Sequence, residues 1–260
     1  MLKAVIFDVD DTLIDWSGNT TLWMDAERPH LERVFAHINT QHPLSSVDMY
    51  IHEYSMRVQR AWANARSNLV APHLGRILID AAIALGVPDD LLDPRACMEA
   101  YEWDVVDGTR VFPDVIEFLQ YLRDHGIRTA IITNSFHPAE LRDRELAALG
   151  LLEFFPECRV TAADVGYLKP HPDIFSHTLE CLGVSEDEVV FIGDNPVADI
   201  AGAQGFGLRA VLRVKSPAPA MLSGLIVPDA AVNSFVELKP IFDEWFPGWD
   251  ARVTADAANP

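Results

Sequence analysis

The chain is short of cysteine and of positive charge, and it has no long apolar run. Its three cysteines, Cys97, Cys158 and Cys181, include no CxxC pair. That gives neither a disulfide framework nor a zinc site, and it fits a reducing compartment. The nine histidines show no HExxH or similar ligand spacing. Lysine and arginine number 20 against 39 acids, a formal charge of −19. Nucleic-acid and anionic-membrane binders carry a basic footprint, so neither partner is expected. No run approaches about 18 apolar residues, so no transmembrane helix is expected. The start, MLKAVIFDVDDT, has only a short apolar patch before three acids, unlike a signal peptide, and the expected location is cytoplasmic. An apolar share of 49% and a charged share of 23% are those of a globular chain and exclude disorder. The 260 residues suit one large or two modest domains and can bury a core that needs no covalent staple. A monomer and a homodimer both remain open.

What is present is an alternation. Residues 4–7 form an unbroken apolar run, as in a strand buried on both faces of a parallel sheet. Similar runs recur at 129–132, 189–192 and 210–214, with a weaker one at 159–161. Helix patterns lie between them at 113–125, 138–149, 172–182 and 197–204, each followed by glycine. The first three also open on proline, which is the usual helix punctuation. The alternation implies right-handed βαβ units, hence an α/β fold with a doubly wound, mainly parallel, Rossmann-like sheet. Residues 15–107 break it with consecutive helix patterns at 29–38, 46–69, 74–85 and 94–105. The second carries Ile51, Tyr54, Val58, Ala61, Trp62, Ala65 and Leu69 on one stripe, and Ser45 with Asp48 resembles its capping box. The expected division is a core of residues 1–14 and 108–246, an inserted α-helical cap at 15–107, and a poorly ordered tail at 247–260.

Ligands of open α/β sheets bind beyond the carboxyl ends of the strands. The first strand runs there into Asp8-Val9-Asp10-Asp11-Thr12, and the second into Thr133-Asn134-Ser135. Lys169 follows the third, and the fourth runs into Gly193-Asp194-Asn195-Pro196-Val197-Ala198-Asp199. Clustered carboxylates cannot all ionise in a low dielectric without a counter-cation. Mg²⁺ suits a few carboxylates together with water and phosphate oxygens. Lys169 would hold an anion and orient a carboxylate beside the metal. Thr133 and Asn134, at a helix start, offer a hydroxyl, an amide and N–H groups to a phosphate. Together these residues read as metal-assisted phosphoryl transfer.

The chain here resembles the haloacid dehalogenase-like hydrolases, a superfamily dominated by phosphatases. The resemblance rests on four motifs in family order across residues 1–214: DVDDT at 8–12, AIITN ending at Asn134, Gly166-Tyr167-Leu168-Lys169-Pro170 with Pro172 and Ile174-Phe175, and GDNPVAD at 193–199. The helical insertion resembles the cap that one large subgroup places between its first and second motifs. The resemblance implies Asp8 as nucleophile and Asp10 as general acid and then base. It implies a Mg²⁺ ion held by Asp8, the backbone carbonyl of Asp10 and Asp194, with Asp199 behind them on a metal-bound water or on Lys169. Thr133 and Asn134 would bind the phosphoryl group, and Lys169 would orient Asp8 and offset developing charge.

Asp10 also discriminates within the family. A halide leaves without a proton and an alkoxide does not, so members that cleave carbon–halogen bonds lack an acid two residues after the nucleophile. The expected substrate is a small phosphorylated metabolite. A phosphomutase, a carbon–halogen hydrolase and a non-catalytic module binding a phospho-ligand are the rival readings. In the cap, Arg57, Arg60 and Asn64 share a helix face. That face is either solvated or a contact for a second anionic group of the substrate. Trp16 and Trp62 are candidates for an apolar or stacking wall. The thiols are expected to be packing residues, and Asp11 has no assigned role.

Overall fold

The computed structural model describes residues 1–214 and 226–251. The chain runs through β1 (Ala4–Phe7), β2 (Ile14–Asp15), α1 (Trp23–Asn39), α2 (Val47–Asn68), α3 (Leu74–Ala84), α4 (Pro94–Tyr101), β3 (Arg110–Val111) and α5 (Val115–Asp124). It continues through β4 (Arg128–Thr133), α6 (Ala139–Ala148), β5 (Cys158–Thr161), α7 (Ala162–Val165), α8 (Pro172–Leu182) and β6 (Val189–Gly193). The last elements are α9 (Gly202–Phe206), β7 (Arg209–Arg213), β8 (Ala230–Val232) and α10 (Leu238–Trp245). No helix among the described residues is long and apolar enough to cross a membrane.

Six strands form one sheet in the order β5-β4-β1-β6-β7-β8, every pairing parallel. The chain lays β4 and β5 to one side of β1 and then crosses to build β6, β7 and β8 on the other. The carboxyl end of β1 is therefore the switch point where such sheets open a crevice. Alternate residues of β1 serve opposite cores. Val5 and Phe7 pack with Phe118, Leu119, Leu238 and Phe242, while Ala4 and Ile6 pack with Ile174, Phe175 and Ala203. A strand covered on both faces has no polar side, which is why it reads as an unbroken apolar run.

Helices α1 to α4 enclose a third cluster around Leu31, Val34, Tyr50, Tyr54, Leu78 and Tyr101. Phe136 and Leu141, from just after β4 and from α6, belong to it. Apolar contact thus seats the helical block on the strand ends. The tip of α2 is also stitched to the loop that carries Lys169. The N–H of Leu168 donates to the Leu69 carbonyl at 2.8 Å, and that of Ala71 donates to Gly166 at 2.9 Å. The two connections between block and sheet pair as an antiparallel ribbon, Ile14 with Val111 and Asp15 with Arg110. Beyond the ribbon they cross so closely that a Cβ on Gly108 would lie 2.4 Å from the Gly18 carbonyl oxygen, and Gly108 has φ +84. Only glycine allows this crossing.

Several expectations needed correction. Helix α1 begins at Trp23 rather than at 29, with Pro29 inside it. One lost N–H is tolerated there because Leu31, Val34 and Ile38 are buried along the helix. Ser46, not Ser45, caps α2, accepting from the Met49 N–H. Helix α4 stops at Tyr101 because Glu102 turns left-handed. The segment expected as a helix at 197–204 opens as a π-helical turn, Pro196–Ala201, and ends at Gly207 rather than Gly205. β8 was not foreseen. The expected loose tail fails for its first residues, because Trp249 is fully buried in the core and donates to Asp243 at 2.9 Å. Residues 252–260 of that tail lie outside the described residues.

A buried acid marks the helical block. Glu27 of α1 is wholly inaccessible and accepts from Tyr54 at 2.9 Å and Tyr101 at 2.5 Å. Burial pushes its carboxyl from 4.5 up to about 7, against the pull of both hydroxyls. The folded state then binds this proton more tightly than the unfolded chain does, so stability falls as pH rises from 4.5 to about 7. Replacing the acid by Glu27→Gln should raise stability by about 1–3 kcal/mol at pH 8 and by nothing near pH 4, measured by urea unfolding at both pH values. Trp249→Ala should cost about 3–5 kcal/mol in the same assay if the tail is anchored as described.

Candidate active site

β1 delivers Asp8 to the switch point with almost no exposed surface. One of its oxygens, Oδ1, accepts from Lys169 Nζ at 2.6 Å, and Oδ2 accepts from the Thr12 hydroxyl at 3.2 Å. The loop after Asp8 folds into a tight turn in which Thr12, Leu13 and Ile14 all donate to the Val9 carbonyl. Asp11 takes the left-handed conformation, φ 63, and donates its N–H to Ile14 at 2.7 Å. The residue without an assigned role is thus the pivot that turns Thr12 back onto Asp8.

Lys169 is buried and shared. Nζ lies 2.6 Å from Asp8 Oδ1 and 2.7 Å from Asp199 Oδ1, and it donates to the Ile132 carbonyl at 2.9 Å. Burial opposes its charge, but Asp199 and Asp8 outweigh that and raise it above the usual lysine value. Asp199 reaches this position from the π-helical turn. The turn is capped by Asn195, whose Oδ1 accepts from Val197 and Ala198 at 3.0 Å. Asp199 Oδ2 in turn accepts the Asn195 N–H at 2.9 Å. The carboxylate lies so close under β6 that a Cβ on Gly193 would fall 2.4 Å from it. The glycine before Asp194 is there for clearance.

Asp8, Asp194 and Asp199 each bring an oxygen within 4.8 Å of the others. Burial pushes the Asp8 carboxyl up to about 8; the nearby Asp199 and Asp10 charges add to this, and Lys169 works against it. Lys169 contacts two of these three carboxylates, and one lysine cannot neutralise all three. An all-oxygen set of this kind fits a hard divalent cation.

Asp10, the second acid of the loop, points its carboxylate elsewhere. Oδ1 accepts from Trp16 Nε1 at 3.0 Å and from Arg142 at 2.8 Å, and Oδ2 lies 3.4 Å from Thr133 Oγ1. Asn134 does not present its side chain to the crevice. Its Oδ1 accepts the Lys169 N–H at 2.7 Å and its Nδ2 donates to the Lys169 carbonyl at 3.0 Å, which locks the loop before the lysine. Ser135 likewise turns inward to accept the His137 N–H at 3.0 Å.

Trp16 therefore touches the site, but Arg57 and Arg60 do not. They line a separate groove of 590 Å³ between α2 and α3 with Asn64, His73 and Arg76. Arg57 is ion-paired there with Glu53, and Arg76 with Asp80 at 2.7 Å. Trp62 packs edge-on against Phe136 in the core of the helical block. Sequence reasoning missed Thr12, Arg142, Glu145 and Trp103. One signal was available for the pair in α6, because Leu141, Glu145 and Leu149 fall on one stripe at i, i+4, i+8. An acid inside an apolar stripe asks for a buried partner, and Arg142 is three residues away.

The chain matches the haloacid dehalogenase-like hydrolase family over residues 2–207. It is similar to the glyceraldehyde 3-phosphate phosphatase of Methanopyrus kandleri, 30% identical over 211 residues that cover 81% of this chain and 83% of that protein. Among solved structures, the 2-haloacid dehalogenase from Pseudomonas syringae pv. Tomato matches with a TM-score of 0.60 and 25% identity, over 94% of this chain and all of that one. A HAD phosphatase from Thermococcus onnurineus matches with a TM-score of 0.58 and 24% identity, over 93% and 98%. A match that takes in all four acid-, hydroxyl- and lysine-bearing strand ends makes this chain a member of the haloacid dehalogenase-like hydrolases.

Proposed function

We propose that the chain is a phosphatase that hydrolyses a small phosphate monoester on Asp8, with Mg²⁺ as its cofactor. The observation that carries this reading is the seating of a second acid, Asp10, at the strand end of Asp8 and against Thr133. A structural neighbour that cleaves a carbon–halogen bond shares the fold, but halide needs no proton donor. An ester oxygen does need one. The curated relative named for a phosphorylated aldehyde agrees with the ester reading.

Asp8 and Asp194, with the Asp10 backbone carbonyl, would hold the metal, which when bound would offset charge on Asp8 and on the phosphoryl oxygens. Asp8 attacks phosphorus as the ester P–O bond breaks, and Asp10 gives its proton to the departing oxygen. Asp10 then takes a proton from water, which attacks the phosphorus of the aspartyl-phosphate, releases inorganic phosphate and restores Asp8. Lys169, fixed by Asp199, keeps Asp8 aligned and offsets charge as it builds. Thr133 and the main chain of Asn134 border the phosphoryl group, while the Asn134 side chain holds the Lys169 loop in place. Asp8 is nearly sealed. A small substrate therefore enters as the helical block moves about the Gly18–Gly108 crossing, and closure excludes bulk water.

A phosphate-release screen over several dozen phosphorylated metabolites, with Mg²⁺ and with EDTA, tests this reading. Release should require the metal. Asp8→Asn should lower kcat to background, and Asp10→Asn should lower it about 10²–10⁴-fold on alkyl esters. Halide release from 2-haloacids without any phosphate release would overturn it. Mg²⁺ should also raise the melting temperature, and Asp194→Asn should remove that shift.

A further inference from the structure

Arg142 projects from α6 into the space between the strand ends and the helical block, and its side chain is only 4% exposed. The guanidinium is held between two carboxylates, Asp10 Oδ1 at 2.8 Å and Glu145 Oε2 at 2.9 Å. Glu145 is completely buried and also accepts from Trp103 Nε1 at 3.3 Å. Asp10 Oδ1 receives a second donor, Trp16 Nε1, at 3.0 Å. A buried guanidinium and carboxylate lose several kcal/mol of hydration, so an apolar pair would serve packing alone at least as well. A pair needed only for structure would have no reason to include Asp10.

We propose that Arg142 is a positioning residue that sets the orientation of the Asp10 carboxyl, turning its Oδ2 to the Thr133 side of the crevice. The inference rests on the reading of Asp10 as proton donor. Two N–H donors, from Arg142 and Trp16, anchor Oδ1 and so fix the direction in which Oδ2 points. Oδ2 is the oxygen on the Thr133 side, where the ester would lie. Glu145 holds the guanidinium from the other side, so Arg142 is fixed in place against Asp10. Trp16 and Trp103 lie on the two connections between the sheet and the helical block. Trp16 donates to Asp10 and Trp103 to Glu145, so each connection is tied to the cluster by one hydrogen bond.

The test compares two esters in the Mg²⁺-loaded enzyme: an alkyl phosphate found by the screen, whose leaving oxygen needs a proton, and p-nitrophenyl phosphate, whose phenolate barely does. Arg142→Met should lower kcat about a hundredfold on the alkyl ester and less than about fivefold on the aryl ester, with KM nearly unchanged. Arg142→Lys should recover part of the loss. In an Asp10→Asn background, Arg142→Met should cost little more, because the two act as one unit. The double variant Arg142→Met/Glu145→Met removes the buried pair together, which keeps the comparison available if the single variant unfolds. It should show the same discrimination between esters. Equal losses on both esters, or full kcat on both, would overturn the inference. If Asp10→Asn itself spares the alkyl ester, the donor role of Asp10 falls instead.

Discussion

The site depends on one buried cation. Lys169 lies between Asp8 and Asp199, at 2.6 and 2.7 Å, with a third bond to the Ile132 carbonyl. A lysine so placed is stable only if every nearby group is fixed, because removing either carboxylate leaves a buried charge without its partner. Much of the surrounding detail serves that requirement. Asn134 clamps the lysine's own backbone, Gly193 leaves room for Asp199, and the π-helical turn aims Asp199 at the lysine. Thr12 holds the free oxygen of Asp8.

The same arrangement separates two acids that lie only two residues apart. Asp8 is drawn into an acidic cluster with Asp194 and Asp199, while Asp10 is drawn to Trp16, Arg142 and Thr133. The left-handed turn at Asp11 permits the divergence. Two carboxylates two residues apart thus face different sets of partners. The helical block contributes by packing. Phe136 and Leu141 lie in its core, so seating the block and ordering the segment after β4 are one event.

The legible parts were those written in local patterns. Apolar runs in β1, β4 and β6 exposed a parallel sheet, and proline and glycine punctuated α5, α6 and α8. The acids, the hydroxyl and the lysine stood just past those runs, where chain order alone placed them at strand ends. The errors fell where local rules compete. Pro29 signals a helix start by local rules, but neighbouring packing carries α1 through it, and Trp249 sits in a stretch with no periodic pattern to signal its burial. Arg57 and Arg60 share a helix face with no acid from Tyr54 to Ile79, but that face turns to a groove away from Asp8.

From the sequence alone came the fold class and which acids, hydroxyl and lysine stand at the strand ends, because period and punctuation are local and each strand end is a point on the chain. Which oxygen meets which donor came only with the tertiary structure. Asn134 turning to the Lys169 backbone, Asp199 tucked under Gly193 and Arg142 bridging Asp10 to Glu145 join residues 3 to 132 positions apart. Such pairings depend on how elements pack and on what burial charges each unpaired polar group, and neither quantity is encoded in any single stretch of residues.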